Sequence, residues 1–247
     1  LGAVVKTYFA EREGVEPSKI FCVSIMPCTA KKFEAQRPEM SRGGVPDIDA
    51  VLTTRELGQL IRQAGIDVHA LEPSAADSPF GGRSTAGKLF GATGGVMEAA
   101  VRSAHFLLTG KDMKDPKIPA LRGLKPIKEA HVEIAGLTVG VAVTSGLGNA
   151  RKLLDEVRAG RKDLHFIEVM TCPGGCIAGG GQPLGTDLEA VRKRMEALYK
   201  IDRDETVRFS HHNPDIQRLY ADYFGQPLGE KSHHLLHTHY TVREPIM

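Results

Sequence analysis

No apolar run in this 247-residue chain approaches the roughly 18 residues that a membrane-crossing helix requires. An excess of charge of one sign is missing too: 32 basic residues stand against 30 acidic ones, a net charge of +2. No basic stripe with interleaved aromatics marks a polyanion footprint, so neither nucleic acid nor a membrane span is expected. Cysteine is scarce, with four residues, too few for the disulfide framework of a small secreted domain. Internal repeats and low-complexity tracts are absent. Hydrophobic content of 41% and charged content of 25% are ordinary for a globular protein, and the length allows one large domain or two small ones. The chain opens on Leu1 in helix-like sequence, and the expectation is a cut or processed piece.

Strand-like and helix-like segments alternate. Residues 19–26 read as a buried strand and 49–52 as a second. Thr53 and Glu56 have capping-box spacing and open a helix to about Ala64, stopped by Gly65. Residues 94–108 have helical spacing, and 111–128 carry three prolines and read as an irregular connection. Residues 131–134 and 137–143 form a hairpin turning at Ala135-Gly136, followed by a helix over 149–159 and a strand over 165–170. The expected fold class is α/β, a mostly parallel sheet flanked by helices, with an all-helical C-terminal tail. In that tail, Thr186 and Glu189 box a helix to about Lys200, a second helix runs from Pro214 to Phe224, and a last one covers 232–240. The expected division is 1–185 and 186–247.

Three cysteines sit in two tight loops, each directly after a strand. The first loop is Met26-Pro27-Cys28-Thr29-Ala30-Lys31-Lys32-Phe33-Glu34. The second is Cys172-Pro173-Gly174-Gly175-Cys176, followed by Gly179-Gly180-Gly181. Carboxyl ends of strands are where α/β sheets bind ligands, so the two loops can converge on one cofactor. The residues leave three readings open for Cys172 and Cys176: iron–sulfur ligation, a reversible disulfide, or half of a zinc site. Cys22 lies within the first strand and reads as a buried, inert thiol. Lys31 either lowers a thiol pKa or donates to an anionic ligand, or is a solvated surface lysine. His233, His234, His237 and His239 lack the Glu of a His-Glu-x-x-His zinc motif and read as structural. Ser145-Gly146-Leu147-Gly148 reads as a tight strand-to-helix turn. Gly91-Ala92-Thr93-Gly94-Gly95 reads as an anion site at a helix N-terminus or as a close-packing turn.

Both cysteine segments resemble signatures of the iron-only (FeFe) hydrogenases. Met26-Pro27-Cys28-x-x-Lys31-x-x-Glu34 is similar to the family's second signature. Glu168-x-Met170-x-Cys172-Pro173-Gly174-Gly175-Cys176-x-x-Gly179-Gly180-Gly181-Gln182-Pro183 is similar to the third. Phe90 to Ala100 also matches, and the tail around Ser232-His233 and Leu235 to Tyr240 is similar to the family's small-subunit segment. The resemblance implies that Cys28, Cys172 and Cys176 are three of four ligands to a 4Fe-4S cubane. Cys176 would also bridge to a diiron subcluster carrying CO and cyanide, the whole forming the H-cluster. It further implies that Lys31, helped by backbone near Pro27, holds a cyanide, that Met26 and Met170 line the diiron pocket, and that Glu34 supports them. The implied reaction is reversible reduction of two protons to hydrogen, with a ferredoxin- or NAD(P)-linked electron-transfer partner. The implied compartment is the cytoplasm, or the periplasm where an upstream signal has been removed. The family's first signature, Thr-Ser-Cys-Cys-Pro, has no counterpart in this sequence, so the remaining N-terminal part of the catalytic domain is an expected partner and this segment alone is expected to be inactive. Gly82-Arg83-Ser84-Thr85 departs from relatives that carry an acid before the serine. The alternative reading is a non-catalytic, hydrogenase-like iron–sulfur protein of cluster assembly or protein interaction.

Overall fold

A computed structural model describes residues 1–242 and divides the chain into two compact units. One comprises Leu1–Phe80 and the chain from Asp215 onward; the other is Gly81–Pro214. Among the described residues no helix is long and apolar enough to cross a membrane.

The first unit opens with α1 (Gly2–Val4), a π turn (Val5–Phe9) and α2 (Ala10–Glu13), which ends at Gly14 with φ +63°. Then come β1 (Val23–Met26), α3 (Ala30–Ala35), the short hairpin β2 (Ser41–Arg42) and β3 (Val45–Pro46), β4 (Ala50–Thr53) and α4 (Thr54–Gln63). β1 pairs with β4 in parallel, from Val23 opposite Ala50 to Met26 opposite Thr53. β1 is shorter and wetter than the sequence suggests. Pro17–Lys19 forms a 3-10 turn, and Phe21, Val23 and Ile25 face outward, Phe21 being 72% exposed. A two-stranded sheet with one uncovered face cannot bury both sides of a strand, which is why this continuous apolar run misleads. Cys22 is correspondingly half-buried and precedes the strand; burial raises its thiol pKa, which keeps it protonated.

The second unit contains α5 (Thr85–Lys88), α6 (Gly95–Thr109), β5 (Ile127–Ile134), β6 (Leu137–Ser145), α7 (Leu147–Arg158), β7 (Phe166–Met170) and α8 (Leu188–Asp204). β5 and β6 form the expected hairpin, its turn held by positive φ at both Ala135 (53°) and Gly136 (79°). β5 starts four residues before the predicted strand because its pairing runs back to Ile127 opposite Thr144. β6 and β7 are parallel, linked by α7. The mixed α/β class is thus as expected, with the parallel pairings split between small sheets.

α6 packs on this sheet through Met97 and Val101 against Ile134, Val141 and Val143, with Leu121 from the 3-10 turn Pro119–Leu121 in the same cluster. Beside that apolar core lies a buried ionic one. Arg102, fully enclosed, donates to Asp202 (2.8 and 2.9 Å), to Glu98 (3.1 Å) and to the Pro116 carbonyl (2.8 Å). Arg122 joins Glu98 (2.7 Å) to Asp202 (2.9 Å) and stacks over Tyr199. Burial alone would raise the Asp202 pKa, yet hydrogen bonds from Arg102 and Thr85 hold it below the usual carboxylate range.

Beyond β7 the described chain is helical. α8 is capped by Asp187, not Thr186: the Asp187 carboxylate accepts from Ala190 N–H at 2.8 Å, while the Thr186 hydroxyl turns back to the Pro183 carbonyl. α9 (Pro214–Leu219) runs into a π turn (Tyr220–Phe224), and α10 covers Glu230–Leu236. α10 lies earlier than the predicted 232–240, because it caps on Gly229 and ends at His237. Val4, Phe224 and Leu235 form the first unit's core with Tyr8, Phe80 and Tyr223.

The capping box at α4 is present in full: Glu56 N–H donates to the Thr53 hydroxyl (3.2 Å), and the Glu56 carboxylate accepts from Thr53 N–H (2.8 Å). That backbone bond, and then the Lys32 ammonium, depress the Glu56 pKa to about 2. A depressed carboxylate stabilises fully above its unfolded pKa, roughly 4.3, and loses that contribution as pH falls through the folded value. Hydrogen-exchange protection of α4 should therefore hold from neutrality to about pH 4 and decline toward about pH 2. Thr53→Ala should cost about 1 kcal/mol in denaturant unfolding yet keep most of that acid dependence, because the backbone N–H at position 53 and the Lys32 ammonium still face the carboxylate, whereas Glu56→Gln should remove it.

Candidate metal centre

In the second unit, β6 and β7 end level, with Ser145 opposite Met170 and Gly146 N–H donating to the Met170 carbonyl at 2.7 Å. Cys172 follows at once. The loop then turns back on itself: Gly175 N–H donates to the Cys172 carbonyl (3.0 Å), and Gly179 N–H to that of Cys176 (2.9 Å). Gly174 and Gly175 have φ of +87° and +98°, a region that side chains resist. Gly175 has a second reason to lack one. A Cβ there would stand 2.6 Å from the Thr93 nitrogen and 2.9 Å from the Gly91 carbonyl oxygen. Thr93 N–H also donates to the Gly174 carbonyl at 3.0 Å. The glycine-rich segment before α6 is therefore a close-packing turn for the cysteine loop.

The same junction is fastened electrostatically. Glu168, buried on β7, accepts from Gly94 N–H (2.7 Å) and Met97 N–H (2.8 Å) at the N-terminus of α6. These are charge-assisted bonds to donors that a helix start leaves unpaired. Lys128, buried on β5, donates to the Thr93 and Gly123 carbonyls at 3.0 Å each. Its burial lowers its pKa to about 8 despite the nearby carboxylates of Glu168 and Glu98. On the far side Ile177 packs with Val191 and Met195 of α8, and Arg194 donates to the Ile177 carbonyl (2.9 Å). Cys172, Cys176 and Met170 are left half-buried on this frame.

In the first unit, Cys28 follows the carboxyl end of β1 and precedes α3. Met26, Pro27 and Cys28 are half-buried. Lys31 and Glu34, one helical turn apart, form an ion pair of 2.6 Å, so the predicted lysine is oriented by the predicted glutamate. Lys32 points elsewhere, to the Val51 carbonyl (2.8 Å) and Glu56. Cys22 takes no place in this loop: its N–H donates to Asp49, which also holds Lys6. Met26, Pro27, Cys28 and Lys31 thus gather in one unit, and Met170, Cys172 and Cys176 in the other. Lys128 belongs to no motif in the sequence. The signal for Lys128 is its inward position on a strand whose neighbours Glu129, His131 and Glu133 alternate outward.

Two family models match the chain: the C-terminal domain of the iron-only hydrogenase large subunit over residues 1–180, and the iron hydrogenase small subunit over 188–243. The chain belongs to the iron-only hydrogenase family. It is 47% identical over 246 residues to the NADP-reducing hydrogenase subunit HndD of Solidesulfovibrio fructosivorans, covering 99% of this chain and 42% of that one. It is 33% identical over 254 residues to cytosolic iron-sulfur assembly component 3 of Rattus norvegicus, covering all of this chain and 52% of that protein. A solved variant of the FeFe-hydrogenase HydA1 from Chlamydomonas reinhardtii superposes with a TM-score of 0.81 at 41% identity, covering 97% of this chain and 67% of that one. This hydrogenase-family chain thus spans about half the length, or less, of these curated relatives.

Two substitutions test the frame. Gly175→Ala meets backbone on one side and a positive φ on the other, and should destabilise by about 3 kcal/mol in denaturant unfolding. Glu168→Gln keeps the shape but loses the charge, and should cost about 1–3 kcal/mol, with the loss of protection concentrated at the first turn of α6 in hydrogen exchange.

Proposed function

We propose that this chain is the C-terminal portion of an iron-only hydrogenase catalytic subunit, acting in the reversible reaction 2H+ + 2e− = H2. The observation that carries the reading is the pair of half-buried thiols on a glycine turn packed against backbone, at the end of the parallel pair β6–β7. The residues fit an iron–sulfur group in donor chemistry: soft thiolates, adjacent glycines and turn amides, with no carboxylate between Cys172 and Cys176.

In this reading Cys28, Cys172 and Cys176 would hold a 4Fe-4S cubane, and Cys176 would hold the diiron part with its CO and cyanide ligands as well. When bound, that group supplies electron storage and the metal site at which protons and hydrogen interconvert. Lys31, oriented by Glu34, donates to an anionic ligand, with backbone near Pro27 as a second contact. Met26 and Met170 line the pocket with apolar, polarisable side chains and exclude water. The fourth thiolate comes from the N-terminal part of the catalytic domain. Electrons arrive from a ferredoxin- or NAD(P)-linked protein, and the proposed compartment is the cytoplasm. We read the division at residues 185 and 186 as one of descent, between large- and small-subunit segments, since α8 packs on the cysteine loop.

The likeness to an iron-sulfur assembly protein favours a second reading, a cubane carrier without the diiron site. The presence of Lys31, Met26 and Met170, which a bare cubane does not require, supports the first. The test is infrared spectroscopy of a matured polypeptide containing this chain and the N-terminal part. CO and cyanide bands are expected, together with hydrogen evolution, whereas this 247-residue chain alone should evolve none. Each of Cys28→Ser, Cys172→Ser and Cys176→Ser should reduce bound iron severalfold. Iron without those bands supports the assembly reading, and zinc without iron sinks both.

A further inference from the structure

Away from the cysteine loops, one group of side chains in the second unit gathers three metal-ligating atoms. Asp112, in the loop after α6, faces His211 and His212, which lie in the 3-10 turn Ser210–His212 just before Pro214. One ligand atom from each lies within 4.8 Å of the other two. Both imidazoles aim Nε2 at the same carboxylate: His211 at 2.9 Å from Oδ1, and His212 at 2.9 and 2.8 Å from Oδ1 and Oδ2. The rings are set by packing. His211 stacks on Phe106 at 4.2 Å with planes 10° apart, and His212 sits edge-on to Phe106 and Phe209. The second nitrogen of His211 lies 3.4 Å from the Ser103 hydroxyl on α6, the outer contact that commonly orients a metal-binding histidine. The His211 side chain is 10% exposed, while Asp112 and His212 are open on one side. The tail histidines differ: His233 and His237 stack on each other at 4.4 Å, and no such trio forms among them in the described residues.

We propose that Asp112, His211 and His212 form a zinc site that clips the end of α6 to the segment closing the second unit. Two neutral imidazoles and a carboxylate are a borderline donor set that suits Zn2+, with water as the fourth ligand, and lack the oxygen-only character that calcium and magnesium prefer. The ligands are 99 and 100 positions apart, so the ion binds the folded chain and not the unfolded one, which stabilises the fold by mass action. This site is independent of the hydrogenase reading and of the cysteine ligands.

The test uses Zn2+ alone with the full chain. Zinc retained at low-micromolar free metal is counted, and unfolding is followed with and without it, for the wild type, Asp112→Asn and His212→Ala. Both substituted side chains are substantially exposed, so the variants should fold. The wild type should gain about 5 °C or more in Tm at zinc about a hundred times its Kd. Each variant should lose one zinc equivalent and most of that gain, whereas His237→Ala should keep both. Co2+ bound at the site should lack a thiolate charge-transfer band. The proposal is overturned if Asp112→Asn and His212→Ala retain zinc like the wild type. It is equally overturned if the wild type takes up no zinc at these residues and Asp112→Asn merely lowers Tm, as a plain ion pair would.

Discussion

The backbone of Gly174 and Gly175 lies directly against that of Gly91, Ala92 and Thr93, and much of the second unit is arranged to permit that contact. Such an approach needs residues without side chains on the inner face and a fixed separation between β7 and the start of α6. Glu168 supplies the latter. Its two oxygens bind amides at Gly94 and Met97, so the strand that delivers Cys172 and the helix beneath the loop are joined by one buried carboxylate. A charge is tolerable there because a helix N-terminus answers it with fixed donors, and Lys128 adds a cation nearby. The thiols are consequently presented by backbone constraint more than by side-chain packing.

The ionic core behind α6 serves a related end. Arg102, Glu98, Asp202 and Arg122 are removed from water, which is costly unless nearly every donor and acceptor is matched. Here they are matched extensively, with Thr85 and the carbonyls of Pro116 and Arg208 completing the set. Such a network adds little net stability over apolar packing, but it permits few alternative arrangements. It fixes α8 against α6, and α8 in turn carries Val191, Met195 and Arg194 to the cysteine loop. A segment matched by the small-subunit model is thereby part of the packing around cysteines that belong to the large-subunit match.

Several local features were legible from residue pattern alone, because the forces behind them act over a few positions. Thr53 and Glu56 make their capping box, Ala135-Gly136 makes its hairpin, and Gly65 and Gly110 close their helices in left-handed conformations. Misreadings arose where a neighbour distant in sequence decides. Phe21, Val23 and Ile25 resemble a buried strand but lie on an open face. Thr186 has the right spacing for a cap, yet Asp187 takes the amide because its carboxylate is the stronger acceptor and the Thr186 hydroxyl has the Pro183 carbonyl within reach.

The sequence by itself determined the family and the α/β class, and it set the turn glycines beside Cys172 and Cys176, since such motifs are written in consecutive residues. Only the tertiary structure decided that Glu168 caps a helix 71 to 74 positions away, that Gly175 is a contact as well as a turn, and that Asp112 meets two histidines about a hundred positions later. Those pairings depend on how helices and strands pack, and packing is a property of the whole chain that no local pattern encodes.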